Sequence, residues 1–176
     1  MTGPFARVAI YMGSDSDLPT MAEAARVLDA LEVPFDLEVT SAHRSPARTL
    51  DLIRAAPGKG VRVFIVGAGG AAHLAGMVAA HTTLPVLGVP LASSDLNGLD
   101  ALLATVQMPS GVPVGTLAIG SAGAANAGML AAQILSLSDP ALAQRIAERR
   151  TRMAESVAAK SRDARTKLAT LLGHKG

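Results

Sequence analysis

His43 and Arg44 stand side by side in the segment Ser41-Ala42-His43-Arg44. An imidazole titrates nearer neutrality than any other side chain, so His43 can give and take a proton at physiological pH. A guanidinium grips a phosphate through two parallel charge-assisted hydrogen bonds, which Arg44 could supply. A second cluster, Gly13-Ser14-Asp15-Ser16-Asp17, offers backbone amides, two hydroxyls and two carboxylates. Amides and hydroxyls ahead of a helix suit a phosphate, because partial positive charge gathers at a helix N-terminus. Carboxylates repel phosphate but accept from ribose hydroxyls, so a phosphoribosyl group would satisfy both halves. Taken alone, the segment reads better as a turn that caps a helix.

The third cluster, Gly67-Ala68-Gly69-Gly70-Ala71-Ala72-His73, meets the GxGxxA form of the dinucleotide fingerprint. That fingerprint should follow the first strand and be answered by an acid about 20 residues on. Here it follows the third apolar run, and the later position reads Val89-Pro90-Leu91. The glycines fit better as a place where backbone approaches a smaller ligand, with His73 adding an imidazole at the next helix start.

Each cluster lies where a short β-branched run ends: Val8 to Met12, Phe35 to Thr40 and Val61 to Val66. Such runs are the signature of buried parallel strands. Strands are also expected at Pro85 to Val89 and Gly115 to Ile119. Between them, helical spacing predicts helices over Leu18 to Leu31, Pro46 to Ala56, His73 to His81, Asn97 or Gly98 to Val106, and Ala122 to Leu137. Alternating strands and helices imply right-handed crossovers in one parallel sheet, a three-layer α/β/α sandwich with a C-terminal helical extension. In open α/β sheets the carboxyl edge of the strands carries the ligand site, so all three clusters fall on that edge. One domain is expected over 1–138. From Asp139 a charged helix follows, with Leu142, Ile146, Met153 and Val157 on one stripe. It suits an arm on a neighbouring subunit or a solvated appendage, fraying from about Lys160.

Composition removes several function classes. The chain has 176 residues and no cysteine, which excludes disulfides, thiolate catalysis and cysteine-ligated metals and agrees with a reducing cytoplasm. Met1 to Arg7 lacks the apolar core of a secretory signal, and no run of about 20 apolar residues could cross a membrane. Residues 1–138 carry seven Lys/Arg against ten Asp/Glu, while residues 139–176 carry nine against four, so the basicity belongs to the tail. With one Tyr, three Phe and no Trp there are no platforms for stacking bases, and nucleic acid is not an expected partner. His43, His73, His81 and His174 have no HExxH spacing, and no Walker or GxSxG motif occurs, so neither metal nor cofactor is expected. A hydrophobic share of 49% against 17% charged points to apolar surface buried between subunits.

In order along the chain, MGSDSD, TSAHRSP, GAGGAAHLAGM, PVLGVP, VQMPSGVPVGTLAIG and SAGAANAGMLAAQIL resemble the class I, bacterial-type N5-carboxyaminoimidazole ribonucleotide mutases, the PurE family of purine biosynthesis. The resemblance covers residues 7 to 137. It implies a flavodoxin-like fold and a homo-octamer whose sites are completed by neighbours. It implies a phosphoribosyl aminoimidazole carboxylate as substrate, no cofactor, and a separate ATP-dependent synthetase that supplies that substrate. Residue by residue, the catalytic histidine falls on His43. Substrate binding falls on Ser14, Asp17 and Arg44, with Ser16 and Ser41 in the same pocket. Ala68, Gly69, His73 and Leu74 match the loop around the imidazole and its carboxylate, and Gln107 to Thr116 a further loop near the site. This chain has Leu18 where many relatives carry Trp, and Ala75 where Pro is usual.

Two other readings use the same residues. The protein could carboxylate aminoimidazole ribonucleotide directly with dissolved carbon dioxide, since both routes share a product. A non-catalytic flavin- or nucleotide-binding module could also occupy this edge, but it leaves the paired His43 and Arg44 without a task.

Overall fold

The computed structural model describes residues 6–172; most of the Met1 to Arg7 segment and His174 lie outside the described residues. The chain divides into two compact units after Leu135. In the first, β1 (Val8–Met12), β2 (Phe35–Val39), β3 (Val63–Gly69), β4 (Val86–Leu91) and β5 (Gly115–Thr116) form one sheet in the order β2-β1-β3-β4-β5. Every pairing is parallel. This is the flavodoxin-like order, in which connections leave β1 in opposite directions and a crevice opens between β1 and β3 at their carboxyl ends. The helices are α1 (Leu18–Ala30), α2 (Pro46–Ala55), α3 (Leu74–Ala80), α4 (Leu99–Val106) and α5 (Ser121–Ser136).

Alternation of side chains along the strands builds the two cores. Ala9, Tyr11, Phe64, Val66 and Val86 point to one face, where they join Ile53 of α2, Leu74, Ala75 and Val78 of α3, and Ala101 of α4 in a single buried cluster. Val8, Ile10, Met12, Val63 and Ile65, equally buried, face the other way. On that side a Cβ at Gly67 would lie 2.4 Å from the sulfur of Met21 on α1. The near absence of bulk in α5 has the same origin. A Cβ at Gly128 would stand 2.7 Å from the carbonyl oxygen of Ala24, so α5 and α1 pack almost backbone to backbone.

Tyr11 carries a polar group into the first core, where its hydroxyl donates to the Leu52 carbonyl at 3.2 Å and its ring meets Phe64 edge-on. Desolvation, reinforced by Asp36 and Glu38, pushes its pKa from 10.0 to about 12. Tyr11 is the only tyrosine and the chain has no Trp, so the ultraviolet phenolate signal reads this group alone. The folded protein should titrate near pH 12 and the unfolded chain near 10.0. A raised folded pKa means that the increment of stability from neutral Tyr11 is complete below 10.0 and disappears as pH rises through about 12. Coincident midpoints in native and denatured protein would contradict this burial.

Three boundaries differ most from the expectation. β3 begins two residues late and continues through Gly67 and Gly69, because those residues still pair with β4. β4 likewise extends to Leu91, and β5 keeps only Gly115 and Thr116 in register, although Leu117 still donates to the Gly88 carbonyl at 2.9 Å. The second unit holds α6 (Pro140–Leu171), whose amino end is capped by the Asp139 carboxylate accepting from the Leu142 amide at 3.0 Å. Its helical backbone continues past Lys160 to Leu171. Alanine, arginine, lysine and leucine beyond that point are all good helix formers.

Candidate active site

Parallel strands deliver four loops to one edge, and a cleft of about 370 Å³ opens among them. Ser14, Ser16 and Asp17 line it from the loop after β1, and Ser41, His43 and Arg44 from the loop after β2. Ala68, Gly69, His73 and Leu74 come from the end of β3 and the start of α3. The ten residues given individual roles in the sequence analysis therefore meet in one place. Ser93 was missed; it reaches the cleft because β4 runs two residues past Val89. Only the length of that strand could have revealed it.

The first loop is built as a cap. Ser14 has extended backbone, its hydroxyl accepts from the Ser16 amide at 3.3 Å, and its own amide donates to Asp17 Oδ2 at 3.0 Å. The residues that form the cap are the same ones that line the cleft. Burial raises the Asp17 pKa above its ordinary 3.8, opposed by the Ser14 and Gly13 amides and helped by Asp15. Folded protein therefore holds a proton at Asp17 more readily than unfolded chain does. That contribution favours folding at acid pH and is lost as pH rises above the ordinary carboxylate range.

The second loop is held from beneath by a buried pair of hydroxyls, Thr40 and Thr49, 2.7 Å apart, which ties the end of β2 to α2. Above it the Ser41 hydroxyl accepts from the Arg44 amide at 3.1 Å, and Ser45 bonds both the amide and the carbonyl of Ser41. The Arg44 side chain then crosses to the first loop, where Nη2 donates to the Gly13 carbonyl at 3.2 Å. One guanidinium thereby links the two loops suited to phosphate and still has donors for an anion.

The glycine run has three separate explanations. Gly67 is glycine because Met21 fills the space its Cβ would need, which concerns the core and not a ligand. Gly69 is glycine because the Ser93 hydroxyl stands 1.8 Å from the same position. Gly70 has φ of +58°, a conformation glycine adopts without strain. Past it, His73 opens α3, and its Nδ1 lies 2.8 Å from His43 Nε2 with the rings nearly perpendicular.

In this chain taken alone His43, Arg44 and His73 are exposed, so the cleft is open to solvent. The stretch Gln107 to Thr116 does not line the cleft. It joins α4 to the amino end of β5, where Gly111, Pro113 and Gly115 border a different hollow with Leu84 and Pro85. That is the opposite edge of the sheet, because α4 has already run back across it.

The cleft thus lies at the β1/β3 switch point, with the His43 imidazole next to Arg44 and the Ser14 to Asp17 loop. Residues 7–156 match the AIR carboxylase family. The chain belongs to it. It is 58% identical over 141 residues to the N5-carboxyaminoimidazole ribonucleotide mutase of Haemophilus influenzae, covering 80% of this chain and 86% of the relative. To the enzymes of that name from Bacillus subtilis and Escherichia coli K12 it is 55% identical, over 85% and 86% of this chain and 93% and 90% of theirs. Among solved structures, Treponema denticola PurE superposes with a TM-score of 0.79 over 89% of this chain and 96% of its own, at 24% identity. A Treponema denticola PurE2 variant gives 0.81 at 23% identity. At that identity the structures speak for the fold. Leu18 is half-exposed at the head of α1, and Ala75 is buried in α3 within the cluster on which Ala42 packs.

Proposed function

We propose that this protein is an N5-carboxyaminoimidazole ribonucleotide mutase, which moves a carboxylate from the exocyclic nitrogen of its substrate to C4 of the imidazole ring. The observation that carries the reading is a single cleft in which His43 stands one residue from Arg44, whose guanidinium reaches the Gly13 to Asp17 loop. Close relatives that bear this name support it.

The substrate's N-carboxylate is a carbamate. Protonation of its nitrogen by His43 lets the C–N bond break, with the electron pair returning to nitrogen, and releases carbon dioxide and the free amine. C4 attacks that carbon dioxide, and the proton on C4 then leaves to His43, which restores the aromatic ring. The proton given is recovered, so one imidazole near neutrality serves both steps. Substrate and product are isomers, and no oxidant, reductant or nucleotide is consumed. Ser14, Ser16 and Arg44 hold the phosphate, Asp17 the ribose, and Ser41, Ala68, Gly69, His73 and Leu74 the heterocycle and its carboxylate.

Carbon dioxide must be held until C4 captures it, and this chain's cleft is open. We therefore take the working form to be a homo-octamer in which neighbours cover the edge. Leu99, Leu103 and Val106, exposed at helical spacing along α4, and Leu96, exposed in the turn before it, support self-association. Light scattering should return an assembly, and a monomer would remove this part of the reading. The reading also carries a body over 1–138 with a helical tail over 139–176, a cytoplasmic setting, and an ATP-dependent synthetase that makes the unstable substrate.

The test is turnover of the N-carboxy substrate, followed by ultraviolet absorbance, without bicarbonate. The mutase should convert it. Product formed only from aminoimidazole ribonucleotide and bicarbonate would establish direct carboxylation instead. Tight flavin or dinucleotide binding without turnover would establish a binding module. Arg44→Ala should weaken substrate binding by roughly tenfold to a hundredfold, the scale of charge-assisted hydrogen bonds. The dephosphorylated nucleoside should bind wild type and variant alike. An unchanged KM for the phosphorylated substrate would take Arg44 out of the phosphate site.

A further inference from the structure

We propose that His73 is a positioning residue for His43, holding its ring orientation and coupling its tautomer to that of a second imidazole, and that a strained turn at Ala72 aims His73 for that purpose. The inference rests on the acid–base role of His43 proposed above. His43 Nε2 and His73 Nδ1 are 2.8 Å apart, a hydrogen bond that only one of them can donate. When both rings are neutral, the bond ties the protonated nitrogen of one to the lone pair of the other. Choosing the tautomer of either ring therefore chooses that of its partner.

The backbone around His73 serves this contact and not the helix it begins. His73 is the residue before α3, yet its side chain makes no capping bond, and its ring turns across the cleft. Immediately before it, Ala72 has φ of +33°, a conformation that L residues rarely occupy. Ala72 is 3% exposed, and its amide donates to the Gly69 carbonyl at 3.1 Å, so the turn is closed and buried. On the other side the His73 carbonyl accepts from the Met77 amide at 2.9 Å. A non-glycine residue kept in such a conformation by its surroundings is the kind of strain found at functional sites.

The pair holds its shared proton and accepts one more, which can sit on the outer nitrogen of either ring. A second added proton would set two N–H groups face to face. The other charged groups lining the cleft are Asp17 and Arg44, of opposite sign.

The experiment compares wild type, His73→Phe, His73→Asn and Ala72→Gly by 15N NMR of the His43 ring without substrate, and by kcat and KM. Wild type should show the His43 ring nitrogens engaged in the shared hydrogen bond, and His73→Phe a changed tautomer balance. His73→Phe should lower kcat by roughly tenfold or more, beyond any rise in KM from the lost contact with the heterocycle. His73→Asn, whose amide group falls near the position of Nδ1, should restore most of kcat. Ala72→Gly should keep the fold, by unchanged circular dichroism, while the His43 tautomer balance changes. An unaltered His43 spectrum in His73→Phe would overturn the proposal, as would a raised KM at constant kcat. An unaltered spectrum in Ala72→Gly would remove the strained turn from it. The NMR readings need no turnover, so they decide the His73 question even if the mutase assay fails.

Discussion

Replacing His43 by Asn is expected to lower kcat by about a hundredfold or more while the dissociation constant of the substrate stays within a few fold. An amide keeps hydrogen-bonding capacity but cannot carry a proton between the carbamate nitrogen and C4. In the proposed reading the grip on the substrate lies elsewhere, in Arg44 and the Ser14 to Asp17 loop, which line the same cleft. Binding should therefore survive when chemistry stops. Equilibrium titration with a stable substrate analogue gives the first quantity and the ultraviolet assay the second. Turnover close to wild type would show that another group moves the proton, and would take His43 out of the mechanism described above.

The second large effect concerns stability. A Cβ at Gly123, near the start of α5, would lie 1.6 Å from the carbonyl oxygen of Ala118 and 2.5 Å from its carbonyl carbon. Those atoms are backbone and cannot rotate aside, so Gly123→Ala must push α5 away from the segment that follows β5. Overpacking of this kind costs roughly 3 kcal/mol, or on the order of 10 °C in Tm for a chain of this length. Gly58 is the control. No atom comes within 4 Å of the position its Cβ would take, so Gly58→Ala should change stability by less than about 0.5 kcal/mol. Equal midpoints for the two variants in thermal unfolding would contradict the packing described at α5.

Residues along the edge of the sheet differ in how legible they were. The run Val8 to Met12 ends where expected and Phe35 to Thr40 one residue early, at Val39, since apolar residues give way to Gly13 and Ser41, and the site loops begin there. At β3 the composition misled. Gly67 and Gly69 read as loop, but they are strand residues stripped of side chains for Met21 and Ser93, neighbours distant in sequence. Ser93 went unseen for the same reason, because the end of β4 is set by pairing with Gly69 across the sheet. For Gln107 to Thr116 the motif was read correctly and its place was not. Only the direction of α4 across the sheet decides which edge that loop occupies.

The identities of His43, Arg44, Ser14, Asp17 and His73, and their positions just beyond apolar runs, were written in the linear chain. Local periodicity and turn chemistry act over a few residues and need nothing distant to be read. Strand order, the 2.8 Å approach of His43 to His73, the link from Arg44 to the Gly13 carbonyl and the open state of the cleft came only with the tertiary structure. Each depends on contacts between residues some 30 positions apart, and those are fixed by which faces of the sheet and helices can bury one another.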